Sequence, residues 1–220
     1  MSATIRGLVG LGALGGVAGG GYLLHRQLSA DNIGKKLEAN GYKLLSETED
    51  SVWTKILEHY KGRIEAGKKD LQFDDFDGKT PPSNTTDVLK SKCKKVLAEV
   101  TGNEENYKKA ERWCTLPKPL TEILEKKGYR ILKSDAAKDD DPSEWDKKLE
   151  AYDKSDETSK KFSDLDLKAP SKNLEKDAKT RNKLKEKCKA LKDKKHYEKD
   201  FETELDKSIL WCAIQVKKAE

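Results

Sequence analysis

The sequence predicts a mostly α protein: an N-terminal transmembrane or signal helix, followed by two duplicated small helical units, each stapled by a disulfide. Three observations lead there. Residues 7–24 carry no charge, one ordered set of landmarks occurs twice in the remainder, and each copy holds two cysteines on apolar helical stripes. Composition agrees with slender helices. Of 220 residues 39% are charged, 35% apolar and 7% aromatic, with a mean hydropathy of −0.90. Such a ratio disfavours one large core and suits amphipathic helices with long solvated faces. The net charge of +5 is the small difference of 45 basic and 40 acidic side chains spread along the whole chain. No module concentrates positive charge, so no nucleic-acid partner is expected.

The first element is residues 1–27. Gly7 to Leu24 is about the minimum length for a helix that crosses a bilayer, and its partner would be lipid. Eight of its positions are glycine. The spacing of Gly12, Gly16 and Gly20 would let two such helices approach closely, which opens a route to self-association. Arg6, the apolar middle and Ala18-Gly19-Gly20 also fit a cleaved secretory signal. Both readings, anchor and signal, place the remainder outside the cytoplasm: a body outside the cell membrane, or a secreted one. No cysteine follows the stretch, which excludes a lipoprotein.

The two units are residues 28–119 and 120–220. Leu37-Glu-Ala-Asn-Gly41-Tyr42-Lys-Leu-Leu45 recurs as Leu124-Glu-Lys-Lys-Gly128-Tyr129-Arg-Ile-Leu132, and Trp53, Leu57 and Tyr60 recur as Trp145, Leu149 and Tyr152. Phe73, Cys93 and Trp113-Cys114 return as Phe162, Cys188 and Trp211-Cys212. The offsets drift from 87 to 98, as insertions at loops produce, and charge-rich composition alone would not repeat tryptophan, tyrosine and cysteine in one order. Pro117-Lys-Pro119 is a stiff, helix-breaking join.

Within a unit, Ser29 or Thr121 can cap a short helix ended by Gly41 or Gly128, since glycine takes the left-handed conformation cheaply. An extended Tyr-x-(Leu/Ile)-Leu segment follows. Trp53, Leu57 and Tyr60 share one face of a second helix; Asp141-Pro142-Ser-Glu144 offers a cap, a first-turn proline and a capping-box acid for its counterpart with Trp145, Leu149 and Tyr152. A charged loop with Pro81-Pro82, or Pro170, comes next. The third helix carries Leu89, Cys93, Val96, Leu97 and Val100; the fourth carries Tyr107, Ala110 and Cys114, and its partner Tyr197, Phe201, Leu205, Cys212 and Val216. No alternation is long enough for a sheet. The tryptophans are read as core anchors, with exposed binding anchors as the alternative.

Gly102-Asn103, a turn signal midway between Cys93 and Cys114, would fold two helices back and bring the sulfurs level. Cys188 and Cys212 have Asp200 at their midpoint, a weaker signal. Disulfides within each unit lead; four reduced buried cysteines and pairing between units are the other outcomes. Cysteine and histidine spacings suit no zinc site, so no metal or other cofactor is expected.

Several motifs resemble catalytic ones and fail. Gly62 to Lys69 mimics a phosphate-binding loop but ends in lysine where serine or threonine should hold magnesium, and it follows a helix. Asp74, Asp75 and Asp77 before Gly78 do not match a calcium loop, because Phe73 and Asn84 fall at its first and twelfth positions. Asn84-Thr85-Thr86 is a glycosylation sequon by pattern and a helix start by composition. His25, His59 and His196 stand apart from any nucleophile and read as surface or stripe positions.

The glycine-rich start, Met1-Ser-Ala with Gly7-Leu-Val-Gly-Leu-Gly-Ala-Leu-Gly-Gly, and the lysine-rich body with Trp113-Cys-Thr-Leu-Pro117 resemble the paralogous exported and membrane protein families of haemotrophic mycoplasmas. The resemblance implies a wall-less, blood-cell-associated bacterium that displays such proteins on its single membrane, with a host surface or host protein as partner. Those families have no assigned enzymatic site, so no catalytic residue carries over. In the second unit Trp211-Cys212-Ala-Ile departs from the Trp-Cys-Thr-Leu-Pro pattern. Together these readings lead to a membrane-anchored, surface-exposed tandem with an interaction or antigenic role and no catalysis. A self-associating structural membrane protein and, more remotely, a secreted enzyme with an unrecognised site are the rivals.

Overall fold

The computed structural model describes residues 32–216 except 75, 81–82, 136–137, 139 and 169–171. Residues 7–24, with Gly12, Gly16 and Gly20, therefore lie outside the described residues, as do Ser29, Asp75, Pro81, Pro82 and Pro170. Among the described residues no helix is long and apolar enough to cross a membrane.

The architecture is mostly helical. In the first unit α1 (Ile33–Ala39), α2 (Asp50–Glu65), α3 (Thr85–Ala98) and α4 (Glu104–Trp113) follow one another. The second contains α5 (Leu120–Lys126), β1 (Tyr129–Ile131), α6 (Pro142–Lys154), a 3-10 turn (Thr158–Lys160), α7 (Ala178–Leu191), α8 (Phe201–Trp211) and β2 (Ala213–Gln215). In the first unit α3 packs on α1, α2 and α4; in the second, α6, α7 and α8 pack on one another.

Local chemistry explains the helix ends. Asn32 caps α1 by accepting from the Lys35 amide at 2.8 Å, the part expected of Ser29. Gly41, at φ +74°, ends it while the Tyr42 amide reaches back to the Leu37 carbonyl at 2.9 Å. Gly128, at φ +82°, follows α5, its amide donating to the Glu125 carbonyl at 3.0 Å. Pro119, not Thr121, stands at the N-cap of α5 and supplies no side-chain cap. Asp141 likewise does not cap α6; its carboxylate takes Arg130 at 3.1 Å, while Pro142 sits in the first turn as expected.

The stripes are shorter than the periodicity suggested. Val100 lies beyond α3, bridged to Asn32 and 72% exposed. Cys114 and Cys212 occupy the C-caps of α4 and α8. Tyr197 precedes α8, and Val216 is exposed past its end. A small sheet forms where none was expected: β1 pairs antiparallel with β2, Arg130 opposite Ile214. In the first unit Leu44 bridges Thr115, and Leu45 N–H donates to the Cys114 carbonyl just as Leu132 N–H does to Cys212. Three residues are too few to show alternation, and the pair is framed by backbone bonds from Leu132 N–H to the Cys212 carbonyl at 2.9 Å and from Val216 N–H to the Gly128 carbonyl at 2.8 Å.

The buried side chains form two clusters. One gathers Trp53, Leu57, Tyr60, Leu89, Cys93, Trp113 and Cys114; the other Trp145, Leu149, Tyr152, Leu184, Cys188, Trp211 and Cys212. Tyr197 crosses over and packs in the first cluster, 5.1 Å from the His59 ring.

Candidate functional site

The expected core residues meet at matching places in each unit. All four indoles donate to a backbone carbonyl outside the α-helices: Trp53 to Ser46 at 2.8 Å and Trp145 to Lys133 at 3.2 Å, Trp113 to Leu71 at 2.8 Å and Trp211 to Lys160 at 2.7 Å. The Tyr60 hydroxyl accepts from the Phe73 amide and donates to the Phe76 carbonyl; Tyr152 does both with Phe162. A buried aromatic with a polar tip needs such a partner. The tryptophans are thus core anchors, at 0 to 4% exposure.

Cys93 is bonded to Cys114 and Cys188 to Cys212, with Cα separations of 5.4 Å in both pairs and no free cysteine. The first pair closes the α3–α4 hairpin across Gly102-Asn103, where Asn103 caps α4. The second closes α7 on α8 across the longer connection between Leu191 and Phe201. Asp200 alone was a poor turn signal because that connection spans several turns.

What the sequence did not single out is the joint between the units. Arg63, late in α2, donates to both Asp70 oxygens at 3.1 and 2.9 Å and reaches across to Glu202 at 3.1 Å. Arg112, in α4, meets the other Glu202 oxygen at 2.9 Å and donates to the Glu198 carbonyl. Both guanidinium groups are 5% exposed against 50% for Glu202. Burial pulls the Arg112 guanidinium down, and Glu202 opposes that shift; an arginine so paired stays charged. Arg112 also lies over the rings of Trp113 and Phe201, 5.3 and 5.6 Å from their centroids.

His196 is the second part of the joint. It lies neither on the surface nor on a helical stripe but in the connection between α7 and α8, 4% exposed. Nδ1 accepts from the Lys118 amide at 3.0 Å, so Nε2 carries the proton and donates to Thr115 Oγ1 at 3.1 Å; that hydroxyl donates to the Glu111 carbonyl. Burial, reinforced by the Arg112 charge, lowers its pKa to about 4. Both ring nitrogens are engaged, which leaves no lone pair for general-base chemistry. The join itself is extended at Pro119, and Lys118 and Leu120 exchange backbone bonds with residues 194 and 196. Lys118 and Lys126 stand 5.1 and 5.2 Å from the Tyr42 ring, and Lys126 donates to the carbonyls of Asn40 and Gly41 at 3.0 Å. A Cβ at Gly41 would lie 2.5 Å from that ammonium.

One signal for the joint was present in the sequence. After residue 28 the chain uses arginine four times against many lysines, and arginine suits buried, multiply bonded pairs better than lysine. Two of those four are Arg63 and Arg112. They also break the repeat: the second unit has Ser155 and Leu210 at the matching positions.

Gly62 lies inside α2 and Gly67, at φ +76°, turns the chain after it. Among the described residues no three His, Cys, Asp or Glu side chains converge as a metal site would require. Comparison of the chain with protein-family models, with curated proteins and with solved structures finds no match.

Proposed function

We propose that the chain is a membrane-anchored, surface-exposed interaction protein, built by duplication of one helical unit and displayed outside the cell, where its role is to contact a host surface or host protein or to present a variable antigenic face. The observation that carries this reading is that all four cysteines are paired, each within its own unit. Disulfides of this kind persist in oxidising compartments and compensate for thin cores. The repeated indole and tyrosine hydrogen bonds support the duplication. Residues 7–24 supply the bilayer contact in this reading, as an uncleaved anchor. No catalytic role is assigned.

Protease shaving of intact cells tests it, with mass spectrometry of released and retained peptides. Peptides from residues 28–220 should be released while residues 1–27 stay with the membrane. A body that is cut only after lysis overturns surface display, and a mature chain in the medium beginning near Gly20 overturns the anchor. The glycine spacing of residues 12, 16 and 20 favours self-association as the second reading, which crosslinking in detergent reports directly.

A further inference from the structure

A half-open groove of about 430 Å³ lies at the joint. That is within the size range of small-molecule sites, which gather where two units meet. Its apolar surface comes from both sides, Leu71 of the first unit and Ile123, Phe201 and Leu205 of the second.

The charged groups of the wall divide into those already committed and those still free. Asp70 is taken by Arg63, and Glu202 by Arg63 and Arg112 together. Glu111 accepts from the Tyr42 hydroxyl. Apart from the second oxygen of Glu111, the uncommitted groups are donors. Lys108 and Lys127 line the groove with no carboxylate partner among the described residues. Arg112 Nε belongs to a side chain that is 5% exposed, is itself buried, and has no acceptor. That N–H is closed to solvent, so Arg112 brings positive charge to the wall and not a donor that a ligand reaches.

We propose that this groove binds a small organic anion with an apolar body, its carboxylate set among Lys108, Lys127 and Arg112 and its body against Phe201 and Ile123. A bare inorganic anion would leave the apolar surface unused. A neutral apolar molecule would leave Lys108 and Lys127 without a counter-charge. The site belongs to the tandem and to neither unit alone, because matching positions elsewhere in the repeat carry different chemistry: Leu210 for Arg112 and Asp206 for Lys108. The proposal does not depend on surface display.

The test is calorimetric titration of the full chain in lipid nanodiscs, with empty nanodiscs as blank, using 4-phenylbutyrate, 4-phenylbutanol and inorganic phosphate. Phenylbutyrate should saturate one site and bind at least tenfold more tightly than either control. Replacing the two exposed lysines, Lys108→Gln with Lys127→Gln, should weaken phenylbutyrate at least tenfold and leave the melting temperature and the phenylbutanol titration unchanged. Absence of saturable phenylbutyrate binding overturns the proposal. So does equal binding of the alcohol or of phosphate, or binding that survives the double substitution.

Discussion

The Arg112 guanidinium of one unit meets the Glu202 carboxylate of the other across 2.9 Å, while Arg63 holds that carboxylate's second oxygen at 3.1 Å. One half-exposed acid therefore keeps two buried cations apart and ties α2 and α4 to the start of α8. Glu202→Gln removes the charge and leaves both guanidinium groups under-compensated. The carboxylate's exposure puts the cost below that of breaking a fully buried pair, at about 2 kcal/mol. Urea unfolding should show that loss, whereas Glu104→Gln, at the matching place in the first unit, should change stability by less than about 0.5 kcal/mol.

Each disulfide closes a loop of similar size, with separations of 21 and 24 residues. Replacing Cys93 and Cys114 by alanine should cost about 3 kcal/mol, and replacing Cys188 and Cys212 a similar amount. Non-reducing peptide mapping should recover those two pairs. Since all four are at most 2% exposed, a thiol reagent added after mild reduction should label them only as the chain unfolds; rapid labelling in the native state would contradict the burial.

His196 predicts the acid limb of stability. Its folded pKa of about 4 lies below the ordinary 6.5, because burial and the Arg112 charge disfavour the cation. Lys118 and Glu111 adjoin it, with the rings of Tyr42 and Tyr197 at 6.3 and 6.2 Å. A depressed histidine pKa means that the unfolded chain binds the proton first. Its contribution is therefore complete above pH 6.5 and is lost as pH falls toward 4, by up to about 3 kcal/mol. Protonation would also place a donor at Nδ1 against the Lys118 amide. Denaturant midpoints between pH 7 and 4.5 should fall less steeply for His196→Gln than for the parent chain; parallel slopes would show that another group carries the dependence.

The Tyr60 hydroxyl joins two loop groups that are otherwise buried, the Phe73 amide at 2.9 Å and the Phe76 carbonyl at 2.8 Å. Tyr60→Phe keeps the ring contacts and orphans the Phe73 amide, while the Phe76 carbonyl keeps the Gln72 side-chain amide at 3.2 Å, so it should cost about 1 to 2 kcal/mol. Tyr152→Phe should behave alike through Phe162. Amide hydrogen exchange at Phe73 and Phe162 should accelerate in the respective variants, a local readout that a change in overall packing would not confine to those amides.

The sequence by itself determined the helical class and the central stripe residues, because each rests on short-range order; it favoured pairing of cysteines within units and left the choice to the structure. Trp53, Leu57 and Tyr60 share a face through helical geometry alone, and a glycine at Gly41 or Gly128 ends a helix wherever that helix packs. The extended run Tyr129-Arg-Ile131 was legible after Gly128, but its pairing with β2 was not, because three residues do not alternate long enough and the pair is closed by bonds between distant residues, Leu132 N–H to the Cys212 carbonyl and Val216 N–H to the Gly128 carbonyl. Only the tertiary structure decided the joint. Arg63, Arg112, His196 and Glu202 lie far apart along the chain and look like ordinary solvated residues in a sequence this charged. Packing two similar units face to face in a non-equivalent way buries a different surface of each, and that asymmetry sets which charges are neutralised and which donors of the groove stay free.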